Sequence, residues 1–158
     1  MMVLYFDGLC EPKNPGGVAT YGYALYDGDL KFREEFGVIG AGMFGDDVSN
    51  NVAEYTAMIR GMAYLLHTGY RGQLSVRGDS QLTIKQMRGE YKVRAHRLIS
   101  LHAKAVKLKG DFEAVTFEWI PREENEEADL LSRKAFDEFL SKNYREYKEY
   151  YSRARKKR

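Results

Sequence analysis

The chain opens with a strand-like stretch over residues 2–7, where Val3-Leu4-Tyr5-Phe6 forms an apolar run closed by Asp7. Residues 8–17 are turn chemistry throughout, with three glycines and two prolines. Residues 20–26 are rich in aromatic and β-forming side chains, Asp27-Gly28-Asp29 signals a hairpin, and residues 30–39 read as a third strand. A Gly- and Asp-rich loop covers 40–49. From Asn50 the period changes. Val52, Tyr55, Ile59, Met62 and Leu66 recur at helical spacing until Thr68-Gly69 stops them. Residues 73–77 make a short buried strand, and 80–87 a helix ended by Gly89. Residues 92–109 make a longer basic helix ended by Gly110, and 113–120 alternate as a last strand. After a loop at 121–125, helix begins at Glu126. Phe136, Leu140, Tyr144, Tyr147 and Tyr151 carry it to about residue 151, with 153–158 as a fraying basic end.

The order βββαβααβα predicts an α/β fold: a five-stranded mixed sheet, three antiparallel strands followed by two further strands, flanked by helices. A length of 158 residues favours one domain. No apolar run reaches 18 residues and no signal peptide opens the chain, so neither a membrane span nor secretion is expected. The single cysteine, Cys10, excludes an internal disulfide and points to a reducing, cytoplasmic setting.

The net charge of +2 hides a segregation. Residues 141–158 carry eight Lys/Arg against two Glu, and residues 85–109 carry eight against one. The rest of the chain is acidic. Two basic segments on an acidic body fit surfaces that grip a polyanion beside a cation site; both could equally be solvated helix faces.

Four carboxylates stand out: Asp7 and Asp79 after strand-like runs, Glu54 and Asp129 in the early turns of helices. Singly, each has an ordinary role as turn opener, helix cap or dipole partner. Yet Glu54 shares a helical stripe with Met58, Gly61 and Leu65, and Asp129 one with Arg133, Phe136 and Leu140, so neither lies squarely on a polar face. Four acids converging at a sheet end would repel without cations. Four hard oxygen ligands suit a pair of Mg²⁺ or Mn²⁺ ions, which at about 3.5–4 Å separation catalyse in-line phosphodiester hydrolysis.

The runs Tyr5-Phe6-Asp7-Gly8, Ser49-Asn50-Asn51-Val52-Ala53-Glu54-Tyr55, Gly78-Asp79-Ser80-Gln81 and Glu124-Asn125-Glu126-Glu127-Ala128-Asp129 together resemble type 1 ribonuclease H, in the right order and on the right elements. The archaeal and bacterial single-domain forms look most similar. The resemblance implies an endonuclease that cuts the RNA strand of RNA/DNA hybrids, leaving 5′-phosphate and 3′-hydroxyl ends with two Mg²⁺ or Mn²⁺ ions. It makes Asp7, Glu54, Asp79 and Asp129 the metal ligands. It assigns reading of the RNA 2′-hydroxyl to the first loop, with Cys10 and Asn14, and to Glu54 and Gln81, and it assigns the DNA strand to Asn50 and Asn51. Turn and cap bonding is the alternative for these amides. Gly8, like Gly16 and Gly17, would let backbone approach the duplex closely, and turn formation explains these glycines equally well.

Two departures from the family stand out. The loop before the last helix has no His, which leaves Arg122 as the substitute: a phosphate binder but no general base near neutral pH. His67, His96 and His102 lie on helices and read as packing residues. The basic substrate-binding insertion of many relatives is missing, so Lys85, Arg88, Lys92, Arg94 and Arg97 are the candidates for phosphate contacts. That leaves room for weaker cleavage of double-stranded RNA. The domain reading is 1–140 for the catalytic unit and 141–158 for a basic, Tyr-rich helical extension, in a protein expected to be monomeric. The extension either docks on the chain's own sheet or on a second copy, or grips nucleic acid. A related strand-transfer nuclease, a detached reverse-transcriptase domain and a non-catalytic hybrid-binding protein are the competing readings.

Overall fold

The computed structural model describes residues 1–156, with side chains described as far as Ser152. Its strands are β1 (Met2–Glu11), β2 (Val18–Asp27), β3 (Leu30–Ala41), β4 (Gln73–Gly78) and β5 (Ala114–Trp119). Its helices are α1 (Asn50–His67), α2 (Gln81–Met87), α3 (His96–Lys109) and α4 (Glu126–Lys156). The sheet order is β3-β2-β1-β4-β5, antiparallel from β3 to β1 and parallel from β1 to β5. This is the mixed five-stranded sheet that the element order predicts. Among the described residues no helix is long and apolar enough to cross a membrane.

Strand alternation divides the core between the two faces. Leu4 and Phe6 of β1, with Tyr23 and Leu25 of β2, pack against Tyr55, Met58, Met62 and Leu65 of α1. Leu9 of β1 and Val18 of β2 pack instead with Phe136, Phe139 and Tyr151 of α4. Ser49 starts α1 as an N-cap, accepting from the Val52 amide, and Ser80 starts α2 in the same way through Thr83.

Several boundaries differ from the sequence reading, β2 among them, which starts two residues earlier at Val18. β1 does not stop at Asp7: residues Gly8 to Glu11 pair with Tyr21 to Val18, so turn chemistry is confined to 12–17. The long aromatic β2 supplies a ladder that overrides local turn preference. β3 runs two residues further than read, to Ala41. α3 starts at His96, because the amides of Glu90 and Tyr91 both donate back to the Lys85 carbonyl and Val93 packs onto the core, which ties 88–95 down as a connection. α4 holds helical backbone to Lys156 but breaks at Asn143, where φ is −131°. That break turns Tyr144 out to solvent while Tyr147 and Tyr151 remain packed. The side chains of residues 153–158, expected to fray, lie outside the described residues.

Gly22 shows how tightly α4 meets the sheet. A Cβ there would stand 2.6 Å from Leu131 Cβ, 2.7 Å from the Ser132 nitrogen and 2.8 Å from the Ala128 oxygen. Two of those neighbours are helix backbone and cannot step aside. Gly22→Ala is therefore expected to cost roughly 1–3 kcal/mol, the usual range for overpacking, read as a lowered urea midpoint with unchanged slope.

Candidate active site

The site is set by register. β1 and β4 pair in parallel as far as Tyr5 and Arg77. Two residues further along each chain come Asp7 and Asp79, which the ladder brings out side by side at the place where β1 and β4 part. Asp7 is thus mid-strand in β1, not at a strand end, but it does sit where the β1–β4 pairing stops. This is the carboxyl end of β4, where ligand crevices of α/β sheets open.

Two glycines then admit the helices. A Cβ on Gly8 would lie 2.5 Å from the Ala53 carbonyl carbon and the Glu54 nitrogen, so the missing side chain lets α1 bring Glu54 against Asp7. Gly22 is the cross-strand partner of Asp7 and admits α4 from the other face. Ser132 of α4 donates its hydroxyl to Asp7 Oδ2 at 3.0 Å. Carboxylate oxygens of Asp7, Glu54 and Asp79 lie within 4.8 Å of one another. Asp129 is not one of that mutually close trio, but it stands beside Asp7 and raises its pKa, lines the same cleft, and has its Oδ1 3.8 Å from Arg122 Nη2.

Electrostatics follow from this crowding. Burial, followed by the charges of Asp79 and Asp129, pushes the Asp7 carboxyl up to about 8. Burial, then Asp7 and Asp79, drives Glu54 well above the ordinary carboxylate range. Asp79 is raised too, chiefly by burial, with Arg122 and the Asn125 amide opposing. Glu54 Oε2 and Asn125 Oδ1 are buried without a protein partner, and an unmet carboxylate oxygen in a nest of acids is what a cation would satisfy.

The cleft has a volume of about 390 Å³, and its lining takes in all four acids together with Gly8, Cys10, Asn14, Asn50 and Arg122. Asn14 and Asn50 hold one another: Asn14 Nδ2 donates to Asn50 Oδ1 at 2.7 Å, and the Asn50 amide donates to Asn14 Oδ1 at 3.0 Å. Arg122 reaches inward toward Asp129. Asn51 is half-buried beside Asn50, and Gln81 is exposed one residue beyond Ser80, which does line the cleft.

The basic candidates lie elsewhere. Lys85 bonds the Tyr91 hydroxyl, and Lys92 lines a separate groove of about 660 Å³ between α2 and α3, with Arg88 and Tyr91. Arg94 is exposed outside the cleft lining, and Arg97 is engaged with Asp47 at 3.1 Å. His102 packs edge-on against Tyr55, a packing role as read from sequence.

Three contributors escaped the sequence reading as site residues. Asn125, 1% exposed, pins the loop before α4 by donating to the Phe6 carbonyl at 2.9 Å. Ser132 steadies Asp7, and Arg133 lines the cleft while pairing with Glu11. The last two stand three and four residues after Asp129, and that spacing on one helix face was the available signal.

A family model described as reverse transcriptase-like matches residues 7–135. The Ribonuclease HI of Halobacterium salinarum is 34% identical over 137 residues, 85% of this chain and 63% of that protein. The Bifunctional protein Rv2228c of Mycobacterium tuberculosis is 34% identical over 126 residues, 78% of this chain but only 32% of that longer protein. The chain thus spans about a third of the mycobacterial relative and under two thirds of the halophile's enzyme. Among solved structures, the N-terminal RNase H domain of Rv2228c superposes with a TM-score of 0.79 at 31% identity, covering 89% of this chain and 96% of that one. LC11-RNase H1 in complex with an RNA/DNA hybrid gives 0.78 at 32% identity, covering 89% and 99%. RNase H1 from Halobacterium salinarum gives 0.76 at 33%, covering 87% and 98%. With its sheet order, its acid-lined cleft and these relatives in agreement, the chain belongs to the type 1 ribonuclease H family.

Proposed function

We propose that this chain is a metal-dependent endoribonuclease that hydrolyses the RNA strand of RNA/DNA hybrids to 5′-phosphate and 3′-hydroxyl ends. The observation that carries the reading is the convergence of Asp7, Glu54 and Asp79, with one Glu54 oxygen buried and without a protein partner. The relative solved with a hybrid bound supports the substrate class.

The donor set fits hard divalent cations: carboxylates only, with no Cys or His among the three. Asp7, Glu54 and Asp79 would hold Mg²⁺ or Mn²⁺, with Asp129 completing the set at the open side. A pair of such ions supplies an activated water and charge stabilisation at the leaving 3′-oxygen. The chain's own groups do the rest. Ser132 orients the Asp7 carboxylate, and Asn125 fixes the loop that carries Arg122. Arg122, exposed and cationic at the rim, binds a phosphate without exchanging protons. Asn14 and Asn50, locked together at the other wall, offer polar edges to the duplex backbone. The groove between α2 and α3, with Arg88 and Lys92, lies ready for phosphates further along. Recognition built on backbone contacts extends to weaker cleavage of double-stranded RNA.

Cleavage of an end-labelled hybrid, with duplex RNA, duplex DNA and single-stranded RNA beside it, tests the reading. Metal-dependent cutting of the hybrid RNA strand is expected. Asp79→Asn is expected to lose at least about 100-fold, and Ser132→Ala about 10–100-fold, the range seen for groups that orient metal ligands. Retained hybrid binding with no turnover in either metal would leave a binding protein on a nuclease scaffold. Activity should climb with pH toward and past 8, because the ligands must lose their protons to take up metal. In EDTA the same groups make an opposite demand on stability. A carboxyl whose folded pKa is raised to about 8 from an ordinary 3.8 favours the fold at low pH and loses that support as pH rises through about 8. The metal-free protein should therefore melt lower at pH 8.5 than at pH 5, and Asp7→Asn should flatten that slope. An identical slope in the variant would count against the crowded-acid site.

A further inference from the structure

We propose that the end of α4 positions the substrate-facing β1–β2 loop through Tyr151, and so sets the affinity for the duplex; the substrate half of this rests on the hybrid-nuclease reading above. The family model stops at residue 135, so the segment past the Asn143 break is outside what the family pattern covers. At the break, Asn143 Nδ2 donates to the Phe139 carbonyl at 3.0 Å. Beyond it, Tyr147 returns edge-on to Phe136 with ring centroids 6.1 Å apart, and Tyr151 lies 5.0 Å from Tyr147. Lys148, Glu149, Tyr150 and Ser152 are exposed, yet Tyr151 is only 5% exposed. Its hydroxyl donates to the Gly16 carbonyl at 3.0 Å.

Gly16 belongs to the loop whose Asn14 lines the cleft. The loop is held from three directions. The Gly16 amide donates to the Val48 carbonyl at 3.0 Å just before α1, and Asn14 is paired to Asn50, the first residue of α1. The Gly42 amide donates to the Gly17 carbonyl at 3.1 Å. Tyr151 is the third hold, and it alone comes from the C-terminal segment.

The test uses the full chain carrying Tyr151→Phe, which keeps the ring packing and removes only the hydroxyl, with Tyr150→Phe on the exposed neighbour as control. Two readouts are taken: amide hydrogen exchange of residues 13–17, and kcat and KM on a hybrid at several salt concentrations. Exchange in the loop should quicken in Tyr151→Phe alone. KM should rise roughly 2–10-fold, the span of one lost hydrogen bond, with kcat and the salt dependence of KM unchanged. Unchanged loop exchange overturns the proposal. So does a loosened loop with unaltered KM, or quickened exchange throughout the fold with kcat falling alongside, which would mark a merely stabilising contact. If the unmutated protein does not cut hybrids, the functional reading falls, and loop exchange still decides whether Tyr151 holds the loop.

Discussion

The close approach of two helix backbones to one residue of β1 is the constraint on which the rest depends. Asp7 stands between Gly8, its neighbour in the chain, and Gly22, its partner across the ladder. Each glycine leaves a space that a methyl group would fill with helix backbone. Through the first space α1 delivers Glu54; through the second α4 delivers Ser132. The sheet supplies Asp79 by register alone. A site made of mutually repelling carboxylates is not stabilised by its own contacts. It has to be imposed by packing elsewhere, and the apolar stripe of α1 and the seat of α4 on β2 do the imposing.

Stability and function therefore pull against each other at this spot. Burial raises the energy of the charged forms, and each neighbouring acid raises it further. The same burial would make a bound cation worth more to the fold than it would be in solvent. Ser132 and the Asn125 amide offset part of the strain on the carboxylates, and the unpartnered Glu54 oxygen is the part left over.

Legibility in sequence tracked how locally each feature is determined. Glu54 was readable because its stripe-mates Met58, Gly61 and Leu65 are packing residues of α1, so an acid among them needed a reason. Asp79 was readable because it follows the short strand-like run Leu74-Ser75-Val76. Residues 8–11 were not readable as strand: Gly8 and Glu11 carry weak β preference, and only pairing with Tyr21 to Val18 extends β1 through them. The start of α3 was missed for a similar reason, since the Lys85 carbonyl that captures two later amides leaves no trace in periodicity. Ser132 and Arg133 gain their roles from how α4 rotates against Gly22, a tertiary fact. The Tyr-rich stripe announced a packed helix face, but not the break at Asn143 that lets it curl onto β1 and β2.

The break also gives a physical reason for the length of α4. A straight helix would carry residues 144–152 away from the sheet and leave its tyrosines in water. With the chain bent at Asn143, Tyr147 and Tyr151 join Leu9, Val18, Ala41 and Met43 in a second apolar cluster, separate from the main core beneath α1. That cluster lies under the far end of β1, beyond Asp7, where the parallel partner β4 is absent and only β2 pairs. The end of β1 and the loop after it would otherwise be a hairpin projecting from the sheet, and isolated hairpins are marginal in water. Phe44 closes on Phe139 over the same region. The wall of the cleft that carries Asn14 is thus built on a surface supplied by the last quarter of the chain, and its rigidity is a property of the tail as much as of the loop.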